Sequence, residues 1–421
     1  MTRTGRENTI ILRARTVLPV SRPPLDNGAV AITGGRISAV GPWQRLASRG
    51  DDCVDLGEAI LLPGLINAHC HLDYTHMAGE IAAPRTFTGW LKLITANKSG
   101  WLYSDFASSW IAGAKMLLRN GTTTVGDVEM VPDLLPEVWT ATPLRVISCL
   151  EMTGVIRRLP PEEILGEAAA KMDSLPRSRS TTGFSPHAPY STAPGLLRLT
   201  AAAARERRCP MVTHLAESEE EFDMFVHGRG ELFEWLTKNG RDMADCGRGT
   251  PVQHYERHGA LNKNVLAVHA NCLGPGDAEL LGRRKVSVAH CPRSHSYFNR
   301  PPFPLAELTQ AGVNVCLGTD SLASVHQVRK KPAELDMFAE LRQFAEAFPT
   351  LAPRTVLQMA TVNGARALGL AGKVGELTAR AYADLVAIPF TGATAEAYDG
   401  VLAHRGLVAA SMIAGEWAIR P

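Results

Sequence analysis

The chain has 421 residues, 45% hydrophobic and 20% charged, enough apolar material for a large core and enough length for a barrel with an appendage. Its 44 basic and 42 acidic residues leave a formal net charge of +2, which excludes the uncompensated Lys and Arg surface that binds polyanions, so nucleic acid is not an expected partner. Residues 1–8 are polar and lack the apolar run of a secretory leader, no apolar stretch is long enough to span a bilayer, and the eight cysteines are dispersed without a CxxC pair; free buried thiols and a cytoplasmic location are expected.

From residue 8 to 62, short β-rich runs (9–15, 28–33, 36–40, 59–63) alternate with turns, Gly34-Gly35 among them, and predict a small antiparallel sheet. The same texture returns in 383–388, 401–403 and 406–413, followed by Ala414-Gly-Glu-Trp417. Like character at both ends predicts one composite β-sandwich made from residues 1–62 and 373–421, on either side of a middle section at 63–372. In that section strand-like runs alternate with helix-like stretches, the signature of βα units around a parallel sheet. The runs are 64–69, 122–127, 145–151, 182–187, 210–214, 265–269, 286–290 and 315–320, and helices are expected at 107–120, 161–175, 193–207 and 331–348. Eight nearly continuous apolar runs fit an α/β fold, a closed (β/α)8 TIM barrel.

Active sites of such barrels form at the C-terminal ends of the strands, and the chemistry-bearing residues gather there. The first run ends in His69-Cys70-His71, whose i and i+2 imidazoles leave a strand on one face and can share an ion. The fifth run ends in His214, the sixth in His269 and the eighth in Asp320. An isolated HxH triplet is weak evidence, but five such residues at ordered strand ends point to a metal-dependent hydrolase. Neutral imidazoles and a carboxylate suit zinc, ferrous iron or manganese. Glu217, three residues past His214, is a candidate acid/base, whereas the run Glu219-Glu220-Glu221 reads as a solvated helix start. His187, after the fourth run, is a candidate substrate contact. His290 reads equally well as structural, and the other histidines read as surface or loop residues, with His76 and His295 the first exceptions to expect.

These residues lie in the segments Leu62-Pro-Gly-Leu-Ile-Asn-Ala-His-Cys-His71, Gly121-Thr-Thr-Thr, Ser185-Pro-His-Ala-Pro-Tyr190, His214-Leu-Ala-Glu217, Val268-His-Ala-Asn-Cys-Leu273, His290-Cys-Pro-Arg-Ser294 and Leu317-Gly-Thr-Asp-Ser-Leu-Ala-Ser324. Over almost its whole length the chain resembles the amidohydrolase superfamily, in the branch of adenosine-type, S-adenosylhomocysteine and methylthioadenosine deaminases, guanine deaminase and triazine chlorohydrolases. The resemblance implies one divalent metal, zinc or ferrous iron, held by His69, His71, His214 and Asp320. His269 would stand beside the activated water, Asp320 would take its proton and Glu217 would protonate a substrate ring nitrogen as the amine-bearing carbon is attacked and ammonia released. Two-metal relatives commonly carry a carboxylated lysine at the end of the fourth strand; here that place reads Phe184-Ser-Pro-His187, so a mononuclear site is expected.

Trp90 and Ser321 are further candidate substrate contacts, and a homodimer is a family expectation. In the methylthioadenosine and S-adenosylhomocysteine deaminases the Trp-Leu segment leads to a glutamate that binds ribose hydroxyls. Here Trp90-Leu91 is followed by Lys92-Leu-Ile-Thr-Ala-Asn-Lys-Ser-Gly100, which contains no acid, and the segment looks more like that of aminodeoxyfutalosine deaminases. The expected function is hydrolytic deamination of an aminated purine nucleoside or related N-heterocycle. The alternatives are a triazine-type chlorohydrolase or other cyclic C–N hydrolase, and, from another class, a non-catalytic barrel scaffold.

Overall fold

The computed structural model describes residues 9–47, 52–155, 159–176, 178–327 and 332–421. The polar N-terminal octet and Lys331, the expected first residue of a helix, lie outside them. In the terminal sheet, β1 (Thr9–Val17), β2 (Leu25–Thr33) and β3 (Arg36–Pro42) form an antiparallel meander, joined by β4 (Asp52–Asp55) and β5 (Ala59–Pro63). The sheet is mixed, not antiparallel as expected, because β4 and β5 both run parallel to β1. A parallel neighbour needs a crossover, and the short helix Trp43–Leu46 begins it after β3.

Eight barrel strands follow: β6 (Leu65–Cys70), β7 (Thr122–Glu129), β8 (Arg145–Met152), β9 (Thr181–Pro186), β10 (Met211–Leu215), β11 (Val265–His269), β12 (Ser287–His290) and β13 (Asn314–Leu317), each parallel to the next. Last come β14 (Leu385–Pro389), β15 (Ala410–Ile413) and β16 (Glu416–Ile419). Strand β14 pairs antiparallel with β5, so both chain ends contribute to one continuous eight-stranded sheet around a core that includes Leu12, Leu61, Leu385 and Met412.

The barrel closes where β13 returns to β6. Thr319 N and Asp320 N both donate to the His69 carbonyl at 3.1 Å, and Asn67 brackets Thr319 through bonds of 2.7 and 3.0 Å. Gly318 is required at this seam, since a Cβ there would lie 2.7 Å from the His69 carbonyl oxygen. The helix expected at 107–120 starts earlier, at Tyr103, because Asp105 caps the Leu102 N–H at 2.8 Å. The helix expected from 331 starts at Met337, after Asp336 accepts from Phe338 N at 2.8 Å. Residues 401–403, expected as strand, close the helix Ala397–Ala403; Ala397 and Val401, four residues apart, are its buried face, a helical rather than a strand period. Among the described residues no helix is long and apolar enough to cross a membrane. The eight cysteines are free thiols; Cys53 is exposed on the short strand β4.

Candidate active site

Strand β6 delivers His69 and the residue just past its end, His71; β10 delivers His214, and the turn after β13 delivers Asp320 in a left-handed conformation (φ +56°). One potential ligand atom from each of the four lies within 4.8 Å of the other three. His71 Nε2 is 3.3 Å from His214 Nε2, and Asp320 Oδ1 is 3.6 Å from His69 Nε2 and 3.8 Å from His71 Nε2. Neither ring nitrogen of the fully buried His69 has a hydrogen-bond partner. Orphaned imidazole nitrogens facing a carboxylate and two more imidazoles are costly without a cation, and the set fits a tetrahedrally inclined divalent metal.

The charge states agree with that use. Burial, then repulsion from His187 and His69, holds His214 down to about 3, and burial with neighbouring imidazoles holds His71 well below its usual range, so both are neutral, the form able to bind a metal. The His187 carbonyl lies 3.0 Å from His214 Nδ1 and fixes that ring's tautomer, directing Nε2 at the group. Asp320 Oδ2 accepts from Ser294 Oγ (2.7 Å) and Ser324 Oγ (3.1 Å), which leaves Oδ1 toward the imidazoles.

Glu217 stands 3.8 Å from His269 Nε2 through Oε1, and His269 Nε2 is 4.0 Å from Asp320 Oδ2. Burial raises the Glu217 carboxyl well above its ordinary value, with Asp320 and Glu221 adding to the rise and Arg300 opposing it. Its proton is therefore held more tightly than that of an ordinary carboxyl, which suits a proton donor. Three neighbours of Glu217 escaped the sequence reading. Glu221 is not solvated: it is fully buried and accepts the backbone N–H groups of Ala216 (3.1 Å) and Glu217 (2.7 Å), pinning a turn in which Ala216 has φ +53°. Glu220 accepts from Phe87 N (2.6 Å) and Thr88 N (3.0 Å), tying the same turn to the helix Phe87–Lys98. Of the acidic run only Glu219 is exposed. Arg300 lies between the rings of Phe87 and Phe298, its Nη2 3.9 Å from Glu217 Oε1, with Nε and Nη2 buried and without hydrogen bonds.

A cavity of about 950 Å³, mouth included, opens above this group. Trp90, Leu91 and Ile94 form one wall and Trp235 and Leu236 another, an apolar slot suited to a flat ring. His187 and Ser321 also line it; His187 Nδ1 is bonded to Ser191 Oγ at 2.7 Å, and burial lowers its imidazole to about 3. Farther out stand Glu151, Lys98 and Thr153. Glu151 stands one residue before the end of β8, close to where the catalytic candidates leave their strands, a signal the sequence carried. His290 lies outside the cavity, stacked on Phe303 with ring centres 3.9 Å apart; His76 is exposed, and His295 bonds Asn271 at 3.0 Å.

Comparison with known proteins agrees with this geometry. Residues 60–417 match the model of the amidohydrolase family. A 5-methylthioadenosine/S-adenosylhomocysteine deaminase of Syntrophobacter fumaroxidans is 35% identical over 382 residues, spanning 87% of this chain and 80% of that protein. The crystal structure of a zinc-bound adenosine deaminase from Xanthomonas campestris superposes with TM-score 0.82 at 26% identity, covering 97% of this chain and 92% of that one. The aminofutalosine deaminase of Helicobacter pylori, solved with methylthio-coformycin, shares the fold at TM-score 0.85 and 22% identity over 97% of this chain and 100% of that one.

Proposed function

This chain belongs to the amidohydrolase family, and on that premise we propose that it is a zinc-dependent deaminase that hydrolyses the exocyclic amine of a purine nucleoside or a related N-heterocycle. The relatives named above act on nucleosides of this kind, and the reading rests on one observation in particular: a buried Glu217 set 3.8 Å from His269, beside four converged potential ligand atoms. His69, His71, His214 and Asp320 would hold the metal, which would supply a nucleophilic water with its pKa lowered from about 16 toward about 7.

The chain's own residues supply the rest. Asp320, with Oδ2 fixed by two serine hydroxyls, accepts the proton from the attacking water. Glu217 donates to a ring nitrogen, so that charge does not build on the ring as its amine-bearing carbon becomes tetrahedral. His269, kept neutral by burial, hydrogen-bonds the oxygen being added. Trp90 and Trp235 hold the ring and exclude water, and His187 and Ser321 contact it from the barrel side. The eight free thiols support a reducing, cytoplasmic setting.

The test is an ammonia-release assay across adenosine, methylthioadenosine, S-adenosylhomocysteine, aminodeoxyfutalosine, guanine and cytosine. Turnover of at least one nucleoside is expected. Silence across the panel, with turnover of a chlorinated or alkylamino triazine, would replace this reading with the chlorohydrolase one.

A further inference from the structure

A second cavity, about 1260 Å³ with its mouth, adjoins the catalytic one, and Val155 lines both. We propose that it binds a small anionic group, a phosphate or a carboxylate, that reaches the guanidinium groups of Arg248 and Arg257 and the imidazoles of His254 and His258.

The wall is built around a fixed loop. Arg241, only 4% exposed, holds Asp245 through two nitrogens at 2.7 and 2.9 Å and donates to the carbonyls of Tyr190 and Pro189. The Asp245 charge is thereby committed, and Asp242 at the exposed rim caps Ala244 N at 2.9 Å. Arg257 gives one N–H to the Arg248 carbonyl (2.9 Å), and among the described residues no carboxylate lies within ion-pair distance of either guanidinium. Two cations face one cavity without an ion-pair partner, with Asp245 acting on Arg257 only at longer range.

The imidazoles point the same way. His258 Nδ1 is 3.3 Å from Arg198 Nη1, a pure donor, so the ring's proton sits on Nε2. His254 is fully buried, lines the cavity, and has no hydrogen bond at either nitrogen; its nearest carboxylate oxygen, Asp245 Oδ2, is 3.8 Å away. A buried imidazole left unpaired is costly, and a ligand with acceptor oxygens relieves that cost. The helix Pro194–Arg207 also begins on this wall, so the positive end of a 14-residue dipole lies beside the cavity, although Pro194 itself has no N–H to offer. The two guanidinium groups and the helix end favour negative charge, and His254 and His258 offer ring N–H donors to it.

Because the cavities adjoin, the anion is either the far end of a substrate or a separate small ion, and one experiment separates the two. Titration of the metal-loaded protein with inorganic phosphate in a calorimeter is expected to give a saturable isotherm. In Arg248→Gln/Arg257→Gln the affinity should fall at least tenfold, with Arg257→Lys recovering most of it, while far-UV circular dichroism and metal content stay at wild-type values. Kinetics then assign the source. Phosphate competing with a nucleoside that carries an anionic 5′ substituent, but not with adenosine, identifies a substrate subsite; phosphate altering adenosine turnover without competing identifies a separate ion. Binding needs no turnover, so this result is independent of the deaminase reading. Absent binding, or binding unchanged in the double variant, as expected for phosphate held at the metal, overturns the proposal.

Discussion

Replacing Glu221 by glutamine keeps the side-chain volume and removes the charge that holds the turn carrying Glu217. The wild-type carboxylate accepts two backbone donors, Ala216 N at 3.1 Å and Glu217 N at 2.7 Å. A glutamine can accept one of them and must turn its amide hydrogens toward the other. Hydrogen bonds to a charged acceptor contribute more than neutral ones, but burial lifts the Glu221 carboxyl to about 7, so it is only partly ionised at neutral pH and part of that advantage is already spent. The expected loss is therefore about 2 kcal/mol of folding stability. Ala216, at φ +53°, is held against its own preference and relaxes once unpinned, displacing the Glu217 carboxyl. A shift approaching 1 Å at the proton donor lowers kcat by about 10- to 100-fold. Urea unfolding, steady-state ammonia release and metal content together test this. A variant that loses the stability yet keeps kcat within twofold of wild type, with full metal, would show that the turn does not position Glu217.

Arg300→Met keeps the contacts with Phe87 and Phe298 and deletes the cation 3.9 Å from Glu217; kcat should fall about tenfold with metal retained, which kinetics and metal analysis check together. Gly318→Ala forces a Cβ to within 2.7 Å of the His69 carbonyl, so the barrel seam and the His69 imidazole must move, and a competing chelator should strip metal from the variant at lower concentration than from wild type. His254, lowered to about 3 by burial, titrates in the opposite sense to a salt-bridged histidine. The unfolded chain binds its proton from about pH 6.5 downward and the folded chain does not, so this group's stabilisation is complete above about pH 6.5 and is lost at roughly 1.4 kcal/mol per pH unit as pH falls toward about 3. In urea titrations between pH 4 and 6, His254→Phe should have a shallower slope of stability against pH than wild type; parallel slopes would contradict the burial argument.

Much of this architecture was written locally. Eight apolar runs separated by helical stretches specify a parallel barrel, and His69 and His71 declare a shared face because two residues is the strand repeat. His214, His269 and Asp320 could be read because each ends a run, even though Asp320 sits beyond β13 in a left-handed turn that only the seam with His69 explains. What the sequence hid was set by tertiary contact. Glu221 looks like any acid in a helix-opening run until its carboxylate is seen to hold two N–H groups from the preceding turn. Arg300 sits in a loop between Asn299 and Pro301 with no periodic signal, and its place beside Glu217 comes from the packing of Phe87 and Phe298 around it. Residues 401–403 have strand-like composition but lie one helical turn past Ala397, and the parallel course of β4 and β5 depends on a crossover no alternating pattern encodes.

The most direct test of the account is to measure ammonia release and bound metal together in Glu217→Gln and His214→Ala, using a nucleoside that the wild type turns over. Glu217→Gln should keep about one equivalent of metal and lose about 10²- to 10⁴-fold in kcat, as expected on removing a proton donor. His214→Ala should lose both metal and turnover. Near-normal turnover by Glu217→Gln, or full activity of His214→Ala without metal, would contradict the assignment of a metal-centred deaminase.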